Sequence, residues 1–189
     1  SLLPIGESVV IERGVLDPAN DVVLESIGAV GQRPIKVTAL DLLAEPDTLA
    51  TFAELNAFYA RQDQLFALLQ EPQLDLYLAA PGEEPVILSA VPHLRPYWSL
   101  PPSFWIQFVT GIVSALIAGW VWALRPRQLA PTLFALSGLG VLLVTMTSAY
   151  YAHRGLALPS IAYGWLLPIN HFGIALFGVT AILGPVVGP

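Results

Sequence analysis

Along the chain the pattern of apolar positions changes character once, near residue 90: before it they come in short runs broken by charge, and after it in long uninterrupted ones. From Phe104 to Leu124 (FWIQFVTGIVSALIAGWVWAL) 21 residues carry no charge, close to the ~20 that a helix needs to cross ~30 Å of hydrocarbon. A buried helix of a soluble protein is rarely so long and so evenly apolar. A second run, Thr132 to Tyr151, is also long enough, and its Ser137, Gly138 and Gly140 would let a neighbouring helix approach closely. The third, from about Ile161 to Leu183, is interrupted by Pro168, Gly173 and Gly178 but stays uncharged. The pattern predicts an all-α membrane domain at 104–189, with three transmembrane helices at about 104–124, 132–151 and 161–183. Joined by short connections, they must run antiparallel as neighbours.

The first ninety residues read differently. Segments 8–12, 22–27, 33–39, 74–79 and 85–90 are short, rich in β-branched residues and Leu, and bounded by Gly, Pro or Asp, which predicts five strands. The last two flank Ala80-Pro81-Gly82-Glu83-Glu84, a turn composition that suggests a hairpin. One helix is expected from Thr48 to Gln70: Asp47 after Pro46 can cap it, Phe52, Leu55, Tyr59, Phe66 and Leu69 make an apolar face, and Pro72 stops it.

Charge sharpens the division. All 14 Asp and Glu residues lie between Glu7 and Glu84, while the remainder carries only Arg95, Arg125, Arg127 and Arg154. Residues 1–91 are therefore expected to be an acidic soluble domain, and 92–103 an aromatic- and Pro-rich linker. Arg125 and Arg127 fall in the connection between the first two spans, where Lys/Arg bias sets topology and the richer side stays cytoplasmic. On that reading RPRQ is inside, and the acidic domain and the His153–Arg154 loop are outside, although Arg95 and Arg154 offset part of the bias. The start, SLLPIGES, has no Met, basic segment or apolar core. An upstream signal or span, and a continuation beyond ILGPVVGP, are expected.

The order of elements carries a resemblance. Asp21–Val37 (DVVLESIGAVGQRPIKV), LDLYLAAPGEEPVIL and Leu3–Glu12 (LPIGESVVIE) together resemble the PDZ-domain pattern, over roughly residues 3–90. The resemblance implies an α+β PDZ-like soluble domain with about five strands and one long helix. In it Leu3–Glu12 would supply the carboxylate-binding loop and the strand that follows. Such a domain before several spans, with SLPPSFW leading in and RPR after the first, is similar to the input region of bacterial membrane sensor histidine kinases. That places the chain in a bacterial inner membrane with its soluble domain periplasmic. No phospho-acceptor His in a helical acidic context and no Gly-rich ATP lid is present, so the chain would be the sensing part alone.

Residues able to carry chemistry are few. Asn170 and His171 fall inside the third span, where polar side chains are costly and mark function by default. They could bind a ligand or titrate as a switch; the alternative is that they hydrogen-bond across a helix interface or satisfy a carbonyl freed by Pro168. A bis-His haem would need a second intramembrane His, and His153 falls in a loop. His93 and Arg95 precede the first span and suit headgroup contact; Glu83 and Glu84 sit on a turn. Gly28-Ala29-Val30-Gly31 follows a strand without a phosphate-binding helix start. No Ser/His/Asp set, metal spacing or basic patch is visible, and Cys is absent. Catalysis, a metal, a cofactor and nucleic-acid binding are therefore not expected.

A peptide bound by the domain would add a strand at the edge Val9, Val10 and Ile11, with Phe52 and Leu55 lining the groove. The alternative is that this edge is occupied by the chain itself or by a partner subunit. Two functions follow: a sensory segment that relays binding through its helices, or an accessory subunit of a larger membrane complex whose soluble domain docks a partner. Either implies a lipid bilayer, a peptide or protein at the PDZ-like groove, and further copies or subunits. A third, an integral-membrane enzyme, has only Asn170 and His171 in its favour.

Overall fold

The computed structural model describes residues 2–5, 8–11, 23–43, 45–79, 85–92 and 96–186. The chain divides into two compact units, Ser1–Pro96 with Arg154–Ser160, and Tyr97–His153 with Ile161–Pro189. The connection after the second span thus belongs to the first unit.

In that unit an antiparallel sheet is built from β1 (Leu2–Ile5), β2 (Ser8–Ile11), β3 (Val23–Ala29), β4 (Ile35–Lys36), β5 (Leu74–Ala79) and β6 (Val86–Ala90). Its order is β1-β2-β3-β5-β6, with β4 also paired to β3. Because β5 pairs with β3 from Val23 to Ala29, β2 (through Val10↔Val23) and β4 (through Ile27↔Ile35) share the opposite edge of β3. Leu24 and Ile27, three positions apart, would face opposite sides of a regular strand. A register shift between Leu24 and Ser26 resolves this, and both are buried. The Glu25 carbonyl accepts a hydrogen bond from the Val37 N–H at 2.8 Å.

The strands differ from the expected five. Leu2–Ile5 is an additional strand where the resemblance put a carboxylate-binding loop, and the expected strand 33–39 shrinks to Ile35–Lys36. Beyond it the chain is drawn into a 3-10 turn, Ala39–Leu42, fixed by Thr38 and Asp41. The expected turn Ala80–Glu84 lies outside the described residues, as do His93 and Arg95.

The helix of this unit, α1 (Phe52–Leu68), starts later than Asp47 suggests. Thr51 and Glu54 form a reciprocal capping box: the Glu54 N–H donates to Thr51 Oγ1 at 3.2 Å and the Thr51 N–H to Glu54 Oε2 at 3.1 Å. Asp47 instead sits in the 3-10 turn Pro46–Thr48. The inward face of α1 is Phe58, Gln62 and Leu65, while Phe52 is 85% exposed. Leu65 joins Leu24, Ile27, Val37, Leu74 and Leu78 in one buried cluster, and the seventh member is Leu156.

The second unit holds three helices long and apolar enough to cross a membrane, α2 (Pro102–Leu124), α3 (Leu129–Ala152) and α4 (Ser160–Val186). Each runs slightly beyond its apolar run; α2 takes up Pro102, which suits the first turn because its missing N–H has no partner to lose. Glycines set the approach of the helices. A Cβ on Gly138 of α3 would collide with Ala118 of α2, and one on Gly140 would lie 2.8 Å from the Gly173 carbonyl oxygen of α4. One short stretch of α3 therefore gives a bare backbone to each neighbour.

Candidate functional site

Three polar arrangements stand out, one in the first unit and two in the second. The first is centred on Asp41, which is 1% exposed. Its carboxylate accepts from Arg61 through both oxygens, Nε to Oδ1 at 2.9 Å and Nη2 to Oδ2 at 3.0 Å, and from the Thr38 N–H at 2.8 Å. This forked pairing, with main-chain support, satisfies the lone pairs of a charge that would otherwise be costly to bury. Arg61 also donates to the Lys36 carbonyl.

Onto this cluster the connection 154–160 is bound by main-chain and side-chain bonds. Arg154 Nη2 donates to the carbonyls of Asp41 (3.2 Å) and Leu43 (2.7 Å), and its guanidinium lies 5.9 Å from the Phe58 ring centroid. Gln62, 0% exposed, donates to the Asp41 carbonyl at 3.0 Å and accepts from the Leu158 N–H at 3.1 Å. Asp63 Oδ1 accepts from the Ser160 N–H, at the first residue of α4, at 2.7 Å. Together with buried Leu156, these bonds make the connection between two apolar helices part of the sheet-and-helix core.

The second arrangement is at Asn170, 4% exposed. Its Nδ2 donates to Thr147 Oγ1 (2.9 Å), Ser148 Oγ (3.0 Å) and the Val144 carbonyl (3.2 Å), all on α3. Thr147 passes its own proton back to the Leu143 carbonyl at 2.7 Å. Asn170 is thus a bond between α3 and α4. His171 points differently: it is exposed, and its Nδ1 donates to the Leu167 carbonyl one turn back at 2.8 Å.

The third joins residues 50 positions apart: Ser103 Oγ and His153 Nε2 lie at 2.8 Å. His153 Nδ1 is 3.0 Å from the Ala149 carbonyl, which can only accept, so Nδ1 carries the proton. In the neutral ring Nε2 is then the acceptor, and the Ser103 hydroxyl donates to it. The Phe104 ring stands edge-on to His153 at 5.8 Å. Phe104 also lines an apolar groove of about 240 Å³ with Phe108, Met146, Thr147, Tyr150 and Leu166. Ser103 was not visible as a site in the sequence: nothing local marks it, and only the antiparallel course of α2 and α3 brings the start of one to the end of the other.

The sequence-predicted groove is not formed as expected. β2, with Val9, Val10 and Ile11, pairs along its length with β1 (Leu2↔Ile11, Leu3↔Val10, Pro4↔Val9), so its edge is taken by the chain itself. Phe52 points to solvent and Leu55 is half-buried. The outer edge of the sheet at the other end is β6, where Val86 and Ile87 are 61% and 57% exposed. Arg125 and Arg127 are exposed in the connection between α2 and α3. Comparison with known proteins adds nothing to this geometry: no family model, no curated protein and no solved structure matches the chain.

Proposed function

We propose that this chain is the input segment of a membrane signalling protein, in which an acidic domain of PDZ-like kind reports a bound peptide or partner to the membrane helices. The observation that carries this reading is the incorporation of 154–160 into the domain core. A change in the sheet or in α1 would act directly on Arg154, Leu156 and Leu158, and so on the ends of α3 and α4. Binding transmits a signal only if it changes the relative stability of two helix arrangements.

With β2 covered, the end strand of the sheet best suited to strand addition is β6, uncharged and apolar from Val86 to Leu88 and with Val86 and Ile87 exposed. That exposed edge also favours the second reading, an accessory subunit whose domain docks a partner. Arg154 is engaged by two carbonyls, which leaves exposed Arg125 and Arg127 as the clearer topological signal. It supports a cytoplasmic 125–128 connection and an acidic domain on the outer, periplasmic face.

The absence of Cys allows a direct test. Spin labels on Arg127→Cys and Leu183→Cys in nanodiscs report the distance between the helix ends remote from 154–160. Gln62→Leu, which removes both bonds of the amide, should shift or broaden that distance distribution. An unchanged distribution, with the domain still folded, would exclude a relay and leave the subunit reading.

A further inference from the structure

We propose that Ser103 and His153 form a nucleophile–base pair that cleaves carboxylic esters of apolar acyl chains presented from the bilayer. The inference rests on the second unit alone and holds whether or not the relay does.

Three features of the pair match what acyl transfer requires. The serine hydroxyl already donates to the imidazole nitrogen that must receive its proton, at 2.8 Å. The other ring nitrogen is held by the Ala149 carbonyl at 3.0 Å, which fixes the productive tautomer, as a third group does in the usual triad. Ser103 is exposed in the first turn of α2, so its oxygen is accessible and lies at the positive end of a helix dipole, where a developing oxyanion is favoured.

The adjoining groove identifies the substrate class. It starts at the Phe104 ring that contacts His153 and continues past Phe108, Met146 and Leu166 on three apolar helices. Its lining suits an alkyl chain and offers no charge to hold a headgroup. An ester whose acyl chain occupies this groove would have its carbonyl at the polar end, beside Ser103.

In the first step Ser103 Oγ bonds to the carbonyl carbon and its proton passes to His153 Nε2. Collapse of the tetrahedral adduct breaks the ester C–O bond, and the departing alcohol takes that proton from His153. Water then attacks the acyl-Ser103 carbon, giving its proton to Nε2. Ser103 Oγ leaves with that proton and the carboxylic acid is released. Water is the only co-reactant, and nothing is oxidised or reduced.

The test is treatment of the full chain in nanodiscs with a fluorophosphonate probe, with peptide mass spectrometry to locate the adduct, alongside hydrolysis of p-nitrophenyl octanoate and acetate. The expected result is an adduct on Ser103, absent in Ser103→Ala and formed about 100-fold more slowly in His153→Ala, the scale of a lost general base. Phe108→Trp, which fills the groove, should lower octanoate hydrolysis more than acetate hydrolysis. No adduct on Ser103 in protein of unaltered helicity would overturn the proposal. So would an adduct that forms as fast without His153, or a groove variant that affects both esters equally.

Discussion

The two units solve the same problem, holding elements together around polar backbone, by opposite means. The first buries a full charge, Asp41, and supports it with Arg61, Thr38 and a network that reaches Gln62 and Arg154. The second contains no acid and is held by close backbone approach at Gly138, Gly140 and Gly173, by the Asn170 amide and by the Ser103–His153 bond. The difference follows from the surroundings each face must exclude. In the first unit an apolar cluster is buried beside the forked, multiply supported ion pair, whose fixed geometry ties α1, the 3-10 turn and the 154–160 connection together. The helices of the second unit are long and apolar enough to cross a membrane, and hydrocarbon would offer no hydrophobic drive between them, so packing of small residues and a few interhelical bonds would have to hold them together.

The largest effect should come from the charged centre. Asp41→Ala leaves the Thr38 N–H and the Arg61 guanidinium, on a side chain 27% exposed, without their carboxylate, and should destabilise the first unit by about 3 kcal/mol, the upper end for removing one partner of a buried hydrogen-bonded group. Denaturant unfolding followed by the signal of that unit checks it. In the second unit Gly140→Ala sets a methyl group against the Gly173 carbonyl and the Phe177 N–H, both under 3.0 Å from the added carbon. Backbone cannot turn aside as a side chain can, so α3 and α4 must separate, at about 1–3 kcal/mol. A cysteine cross-link between the two helices should form more slowly in the variant.

Asn170→Ala should cost less, about 0.6–1.7 kcal/mol, even though the amide's contacts with three acceptors on α3 are lost, because in a membrane the separated helices find other partners. Steric trapping in bicelles would measure it. If Asn170→Ala costs more than Asp41→Ala, the contrast between the units is wrong.

The smallest effect concerns Tyr59, whose phenol is raised above its ordinary value of 10.0, first by burial and then by the charge of Asp47. Folding favours the neutral phenol, so its contribution is complete below the unfolded pKa and is lost as pH rises through the folded one. Ultraviolet titration of Asp47→Asn should show the midpoint falling only part of the way, since burial is the larger cause.

These contrasts explain what could be read from the sequence. The three apolar helices were legible because bilayer thickness fixes the length of an uncharged run, and their ends moved by only a few residues. Glycines in the second span announced close packing. The first unit was less legible, because its decisive contacts are non-local. Gln62 is the clearest case: apolar periodicity passes over a glutamine, yet it is wholly buried because its partners lie at Asp41 and, 96 residues away, at Leu158. Phe52 was assigned to the inner face by the same periodicity, but it opens the helix that Thr51 and Glu54 start, and faces solvent. Arg154 counted as a loop charge for topology; its guanidinium in fact donates to carbonyls 111 and 113 residues earlier in the chain. A strand edge at Val9–Ile11 looked open because no spacing rule says that residues 2–5 return to pair with it.

The central claim is that the connection between α3 and α4 is part of the core of the acidic unit. Hydrogen exchange of Leu156→Ala in nanodiscs tests it most directly. Truncating a side chain 7% exposed in that cluster should cost about 2–5 kcal/mol. The account predicts faster exchange in β3, β5 and α1 while α2 and α3 keep their protection. Faster exchange confined to residues 154–160, with β5 and α1 unchanged, would contradict it.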